Sequence, residues 1–365
     1  MPRRRSLRFR PSLLVPLALL PGLLGIIIAS SHTEPSSTPN TASPTLVATL
    51  THPTTGVPVP TNGQWQPTNL TVQTDALATD PSDHGALIAG TVQGMWRSDD
   101  GGGAWKRLLG YPMTSAVLAL AAGGNPRLLY AADSDGVIRV RTKQGAWRAI
   151  GPSPAPGSIF SLAVSDTAPP VVLAGTAGAL YRGVQQGTRW QWRAVAHTDG
   201  SSFAAVTWLQ GGAQSALAAI FGIAPPVLVS HDGGRTWKDG SQGLPDTLPT
   251  VAMLHVDTTP ATIILSTMGD GVWERAAGGI WREISAGLPE RHAMPLVGSA
   301  EGNPLFAGTM GYGVYMKNGA NSWQRLGRGL TGPSYIVLSL LHVEGRRPIL
   351  LAGAGIGVYR YALGR

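Results

Sequence analysis

Phe306-Ala307-Gly308-Thr309, a turn into Gly313-Val314-Tyr315, and then Trp323 form the stretch that decides the fold, because the same order of pieces returns all along the chain. The unit is an apolar strand, a small-residue strand ending near Ala-Gly-Thr, a glycine turn, an aromatic strand and a closing Trp. Its second-strand marker appears seven times: Leu87-Ile88-Ala89-Gly90-Thr91, Leu129-Tyr130-Ala131-Ala132-Asp133, Leu173-Ala174-Gly175-Thr176, Leu217-Ala218-Ala219-Ile220, Ile264-Leu265-Ser266-Thr267, Phe306-Ala307-Gly308-Thr309 and Leu351-Ala352-Gly353-Ala354. The period is roughly 43 residues, in the range of one four-stranded propeller blade. The closing residues Trp105, Trp147, Trp192, Trp237, Trp281 and Trp323 follow one another at 42, 45, 45, 44 and 42 residues. Placed once per repeat, these rings read as packing anchors, each able to bury roughly 150 to 250 Å².

The seventh unit lacks its closing Trp, since the chain ends at Arg365, six residues after Tyr359. The missing piece stands at the other end, where Gln64-Trp65-Gln66-Pro67 lies 40 residues before Trp105 with no first three strands ahead of it. Pairing that segment with the last unit closes a ring and hides two sheet edges. The expectation is therefore an all-β chain forming a single seven-bladed β-propeller over 63–365, with four antiparallel strands per blade and a ring closed by the N-terminal strand around Trp65.

Composition agrees with many short strands and turns. The 48 Gly and 29 Pro among 365 residues are more than a helical protein tolerates, and 43% apolar residues suffice for a core. There is no cysteine, which excludes disulfides, thiolate metal sites and a cysteine nucleophile. The formal charge of +8 owes much to Arg3, Arg4, Arg5, Arg8 and Arg10; without them 23 basic face 20 acidic residues, or +3. That balance gives no reason to expect nucleic-acid binding. The five arginines precede the apolar run 13–29, so 1–31 reads as a signal peptide or an N-terminal membrane anchor, with small residues for cleavage after Ser31. Residues 32–62 are dominated by Thr, Ser and Pro with Glu34 the only formal charge, the makeup of an extended linker. The body of the protein is thus expected outside the cytoplasm, secreted or tethered to a membrane through the N-terminal segment.

Ser230-His231-Asp232-Gly233-Gly234-Arg235-Thr236-Trp237 fits Ser-x-Asp-x-Gly-x-Thr-Trp without a mismatch, and Ser98-Asp99-Asp100-Gly101-Gly102-Gly103-Ala104-Trp105 fits except at Ala104. These segments resemble the Asp-box, or bacterial neuraminidase repeat, and the resemblance covers about 63–365. It implies a structural hairpin in which the Ser98, Asp100, Ser230 and Asp232 oxygens accept backbone N–H bonds. Gly102 and Gly234 then take the turn dihedrals, Thr236 supports the turn, and Trp105 and Trp237 pack beneath. Repeats of this style occur in sialidases, xyloglucan-active glycoside hydrolases, the photosystem II stability and assembly factor family and sortilin-like receptors, so the resemblance implies architecture and leaves activity open. Sialidases carry the first arginine of a triad in a Phe/Tyr-Arg-Ile-Pro motif ahead of the first box. Between 63 and 97 this chain has only Arg97, within the first box region.

In a propeller, the loops between successive blades and the second-to-third-strand turns form one face around the axis. Those positions hold Asp133, Asp135, His197, Asp199, Asp246, Asp270, Glu290, Arg291, His292, Tyr312 and Tyr335, densest at Glu290-Arg291-His292. They are the candidate ligand residues, and none is assigned as catalytic. The eight histidines never fall within four residues of one another, so no metal site and no cofactor are expected. Lys106, Arg148, Arg193, Lys238, Arg282 and Arg325 follow the closing Trp residues and form a rim belt that reads as edge protection or as a dock for an acidic partner. Three functional readings stay open. The first is a non-enzymatic extracytoplasmic propeller that binds a protein or glycan partner through its loop face. The second is a sialidase-like or xyloglucanase-like glycoside hydrolase, and the third an assembly factor for a membrane complex.

Overall fold

The computed structural model describes residues 63–364 apart from 84, 112–114, 152, 155, 210–212, 257, 259, 260, 277, 300–302 and 346. The expected export segment, 1–31, and the expected linker, 32–62, lie outside the described residues.

The strands are antiparallel and follow the repeat. Thr74–Thr79, Leu87–Thr91, Gly94–Ser98 and Lys106–Arg107 make the first sheet in chain order, and three further sheets have the same four-stranded form. The expected seven separate blades do not form. Counting each hydrogen-bonded sheet as one blade, the propeller has six: four of four strands, one of five and one of six. The six-stranded sheet holds the third and fourth repeats together, because the single strand Arg189–Trp208 serves both. Its residues 189–197 pair with Val171–Gln186, while Phe203 to Trp208 pair with Ala216–Ile220.

A local cause is visible in the sequence. Other junctions carry a breaker after the closing Trp, as in Gly110-Tyr111-Pro112, Gly151-Pro152, Gly243-Leu244-Pro245 and Gly287-Leu288-Pro289. Between Trp192 and Phe203 there is no proline. The chain therefore keeps its extended run through the junction instead of ending one sheet and starting the next.

Ring closure rests on Gln66–Pro67, which pairs antiparallel with Gly357–Ala362 through Gln66 opposite Arg360 and Pro67 opposite Tyr359. The tryptophans show why this register is the right one. The Trp281 indole N–H donates to the Gly240 carbonyl at 2.9 Å, and that of Trp323 to the Ile284 carbonyl at 2.6 Å. Each acceptor lies three residues after the closing Trp of the preceding repeat. The Trp65 indole donates to the Leu326 carbonyl at 3.0 Å, again three residues after a closing Trp. Backbone amides repeat the rule five residues on, with Trp281 bonded to Gln242, Trp323 to Ala286 and Trp65 to Arg328. Trp65, only 3% exposed, thus stands where a closing Trp of the last repeat belongs.

The small residues of the Ala-Gly-Thr strand are explained by how tightly neighbouring repeats approach. A Cβ on Gly90 would sit 2.7 Å from a Val117 methyl, and one on Gly353 would sit 2.7 Å from the Thr74 carbonyl oxygen. Hydroxyls bridge the same junctions. Ser161 donates to the Phe203 carbonyl at 2.8 Å, Ser266 to that of Met294 at 2.6 Å and Ser339 to that of Thr74 at 3.1 Å.

Six of the seven first strands carry a β-bulge, which leaves one residue without a cross-strand partner. Register shifts fall between Thr74 and Ala76, Val117 and Ala119, Ile159 and Ser161, Phe203 and Ala205, Thr250 and Ala252, and Val337 and Ser339. The skipped residues Leu118, Phe160, Ala204, Val251 and Leu338 are buried and apolar. Val251 and Leu338 belong to one cluster with Met294 and Ile336, as expected where first strands converge. The sixth skipped residue is Asp75, 5% exposed. Gln73 donates to its Oδ1 at 2.9 Å, while Oδ2 is buried with no hydrogen-bond partner. Burial pushes its carboxyl up to about 6, against the smaller opposing pull of the Gln73 amide.

Candidate functional site

The candidate loop-face residues separate into distinct places. Asp270 lies in the turn between Thr262–Thr267 and Val272–Ala276, and Glu290 and Arg291 lie in the short 3₁₀ turn Pro289–Arg291 of the next junction. Backbone bonds lock the two loops together. The Gly271 amide donates to the Arg291 carbonyl at 2.9 Å, and Met268 forms an antiparallel bridge with His292. Glu290 and Arg291 hold φ of +46° and +57°, the left-handed region that non-glycine residues avoid. Such strain persists where surrounding bonds over-determine it.

The side chains converge from two successive repeats. Arg291 pairs with Glu283 at 2.6 Å and reaches the Asp270 carbonyl at 3.4 Å. The Glu290 carboxylate lies 3.9 Å from His292 Nε2 and is near enough to the Tyr312 phenol to perturb it. Tyr312 comes from Met310–Tyr312, a short strand joined to the closing sheet by the pairing of Tyr312 with Thr331. Glu290 raises the Tyr312 phenol, because a neighbouring carboxylate favours keeping the proton. His292 moves the other way: burial lowers it, while Glu290 and Asp270 partly restore the charged form. At neutral pH the His292 imidazole is uncharged. Its Nδ1 is buried without a hydrogen-bond partner.

Asp133 and Asp135 occupy a separate turn, and their oxygens are used internally. Asp133 is 0% exposed; its Oδ1 accepts the Asp135 and Val137 amides at 3.1 and 3.0 Å, and its Oδ2 pairs with Arg139. Asp135 takes the Ser115 hydroxyl. The Arg139 guanidinium lies over the Tyr111 ring at 5.2 Å, and burial pushes the Tyr111 phenol up. Sequence reading placed the two aspartates on the face and missed Tyr111 and Arg139. His197 and Asp199 are exposed on the Arg189–Trp208 strand, and Asp246 is exposed in the following junction. Tyr335 packs edge-on against Tyr359 at 5.8 Å, in the closing sheet. Among the described residues no group of three or more His, Cys, Asp or Glu is placed to hold a metal ion.

The two Ser-x-Asp turns share one bonding pattern. Ser230 donates to Asp232 Oδ1 at 2.9 Å, that oxygen also accepts the Arg235 and Thr236 amides at 2.9 Å, and Gly234 donates to Ser230 Oγ at 2.9 Å. The Trp237 indole bonds the Gly234 carbonyl at 3.3 Å. In the other turn Ser98, Asp100, Gly102, Gly103, Ala104 and Trp105 repeat these contacts. The Thr236 hydroxyl, which donates to Asp232 Oδ2 at 2.6 Å, has no counterpart at Ala104. The Thr236 hydroxyl and amide draw the Asp232 carboxyl well below the usual range.

With this geometry, sheets of antiparallel strands joined in chain order and closed end to end, the architecture is settled. The chain is a β-propeller. No family model and no curated protein sequence matches it. Among solved structures it is similar to the extracellular domain of a protein from B. thetaiotaomicron assigned as a hybrid two-component system. The TM-score is 0.62 at 14% identity, over 83% of this chain and 40% of that one. It is also similar to the β-propeller domain of Cps50 (Swd1) from Myceliophteria thermophila, with a TM-score of 0.62 at 11% identity, over 80% of this chain and 97% of that one. This chain spans about two fifths of the length of the first neighbour. At these identities the likeness is one of fold.

Proposed function

We propose that this propeller is a non-enzymatic extracytoplasmic binding protein, secreted or anchored through residues 1–31, that captures a protein or glycan partner on the loop face around Asp270, Glu290, Arg291, His292 and Tyr312. The observation that carries this reading is the convergence of these five residues from two successive repeats, with Glu290 and Arg291 held in left-handed backbone. Carboxylate, guanidinium, imidazole and phenol groups on one open surface suit the dense hydroxyls of a glycan or the polar rim of a protein. The two Asp-box-like turns and the arginine-rich, apolar N-terminus support the placement outside the cytoplasm.

One juxtaposition favours a second reading as a glycoside hydrolase, namely the Tyr312 phenol near the Glu290 carboxylate, since a tyrosine beside a carboxylate is one glycosidase arrangement. The raised Tyr312 phenol opposes it, because an activated nucleophile needs its proton loosened rather than held. Arg291 is also already paired with Glu283.

A glycan array and a pull-down with the full chain, each repeated with Glu290→Gln and Tyr312→Phe, test the proposal. Binding weakened by about tenfold or more, with unchanged melting, is the expected result. Turnover of sialosides or β-glucans that Glu290→Gln abolishes would establish the hydrolase instead. Co-purification of a membrane complex that depends on Arg282 and Arg325 would point to an assembly role.

A further inference from the structure

Outer strands in this propeller are short. Lys106–Arg107, Lys238–Asp239 and Arg282–Glu283 have two residues, and Trp147–Ala149 and Trp323–Arg325 have three. The third repeat departs from this, because its outer strand runs from Arg189, opposite Gln186, to His197, opposite Ala179. Among the described residues, no strand pairs with the other edge of 189–197. A bulge at Val195, skipped between the Leu180–Ala196 and Tyr181–Ala194 pairs, leaves 189–194 in regular register with 181–186.

Side chains alternate along that edge. Arg189, Gln191 and Arg193 are exposed on one face, while Trp190, Trp192 and Ala194 are half-buried on the other. The two indoles stack at 5.9 Å and 19° against the core between the second and third repeats. The exposed face is strongly positive. Arg193 stands directly opposite Arg182 in the hairpin, a like-charge pair that destabilises a sheet. Burial and then Arg235 lower Arg182, with Asp232 as the opposing influence.

This charge selects the occupant. Two copies pairing antiparallel about Gln191 would set Arg189 against Arg193 at both ends, so the edge repels itself. An acidic strand instead relieves the opposition of Arg182 and Arg193. We propose that residues 189–194 are a docking edge for an extended acidic segment of a partner protein, added to the sheet as an extra strand. Two acidic residues four apart would lie opposite Arg189 and Arg193, with a small polar residue opposite Gln191. β-Branched residues at the alternate positions would sit beside Trp190 and Trp192.

The test uses the full chain and the peptide acetyl-Thr-Glu-Val-Thr-Val-Glu-Thr-amide, followed by calorimetry and tryptophan fluorescence. Saturable binding below about 1 mM is expected. N-methylation of the peptide amides that face the edge, which leaves charge and protein unchanged, should weaken it at least about tenfold, and so should scrambling the sequence. The variant Arg189→Glu/Arg193→Glu should lose the acidic peptide by a similar factor and gain its lysine counterpart. Equal affinity for the N-methylated or the scrambled peptide would reduce the effect to loose electrostatics and overturn the proposal. Absence of saturation, or self-association of the chain through this edge, would overturn it as well.

Discussion

Asp75 occupies a bulge position that other repeats fill with Leu118, Phe160, Ala204, Val251 or Leu338, so Asp75→Leu installs what the architecture uses elsewhere. The magnitude follows from the displaced carboxyl. Its pKa rises from 3.8 to about 6 on folding, roughly 2 units at about 1.4 kcal/mol each, or about 3 kcal/mol. The sign is set by proton binding: between those two values the folded chain holds more protons than the unfolded one, so stability falls as pH rises through this window. Below about pH 3.8 the burden vanishes; above about pH 6 it is present in full. Asp75→Leu should therefore stabilise the chain by about 2 to 3 kcal/mol more at about pH 7.5 than at about pH 4. Loss of the Gln73 hydrogen bond, about 1 kcal/mol, enters at both pH values and largely cancels in that difference. Thr331–Val343, packed against Thr74–Thr79, carries Tyr335 and His342, and neither contributes to the displacement of Asp75. The assay is urea unfolding of both proteins at the two pH values, read by tryptophan fluorescence. A stability gain that is the same at both, or a loss at the higher pH, refutes the assignment of an ionised, unpaired carboxylate in the core.

Trp65→Ala should destabilise by about 3 to 5 kcal/mol, and Trp323→Ala by a similar amount, because both indoles are buried and bond equivalent carbonyls; denaturant unfolding of the two variants checks this, and a much smaller loss for Trp65 would deny its closing role. Gly353→Ala should cost about 1 to 3 kcal/mol, since its Cβ would meet the Thr74 carbonyl oxygen at 2.7 Å, whereas Gly85→Ala, which meets nothing within 4 Å, should be near neutral. Glu290→Gln should lower the Tyr312 phenol toward its ordinary value near 10, measurable by titrating tyrosine ring carbons by NMR; an unchanged midpoint would deny that Glu290 acts on Tyr312.

The ring was legible because the closing Trp recurs at a nearly constant spacing. Trp65 takes the carbonyl three residues beyond the previous closing Trp as Trp281 and Trp323 do, so an isolated Trp65 reveals its missing repeat. The two Ser-x-Asp turns were legible for a similar reason, as every contact is local. Sheet count was not, because counting markers cannot tell whether a junction breaks. The lack of a proline between Trp192 and Phe203 was the available signal. Likewise a carboxylate in a turn reads as exposed until one sees that Arg139 and two amides claim Asp133. Nor does any periodicity announce a bulge, so nothing in the repeat marks Asp75.

What remains after the repeat is accounted for is a small set of departures, each of which costs stability. Asp75 puts a charge where other repeats put apolar atoms, Glu290 and Arg291 adopt backbone that glycine would take without penalty, and Arg182 faces Arg193 across a hairpin. Each has a less costly alternative within reach of a single substitution. A scaffold required only to fold would drift toward those alternatives, since most stabilising changes are close at hand in natural sequences. Glu290, Arg291 and Arg193 are exposed, so the left-handed backbone and the opposed arginines border surfaces that a partner can reach. The loop face and the 189–194 edge are thus the two places where a ligand would restore what folding gave up, and they belong to different repeats. This predicts independent binding at the two sites, rather than competition for one.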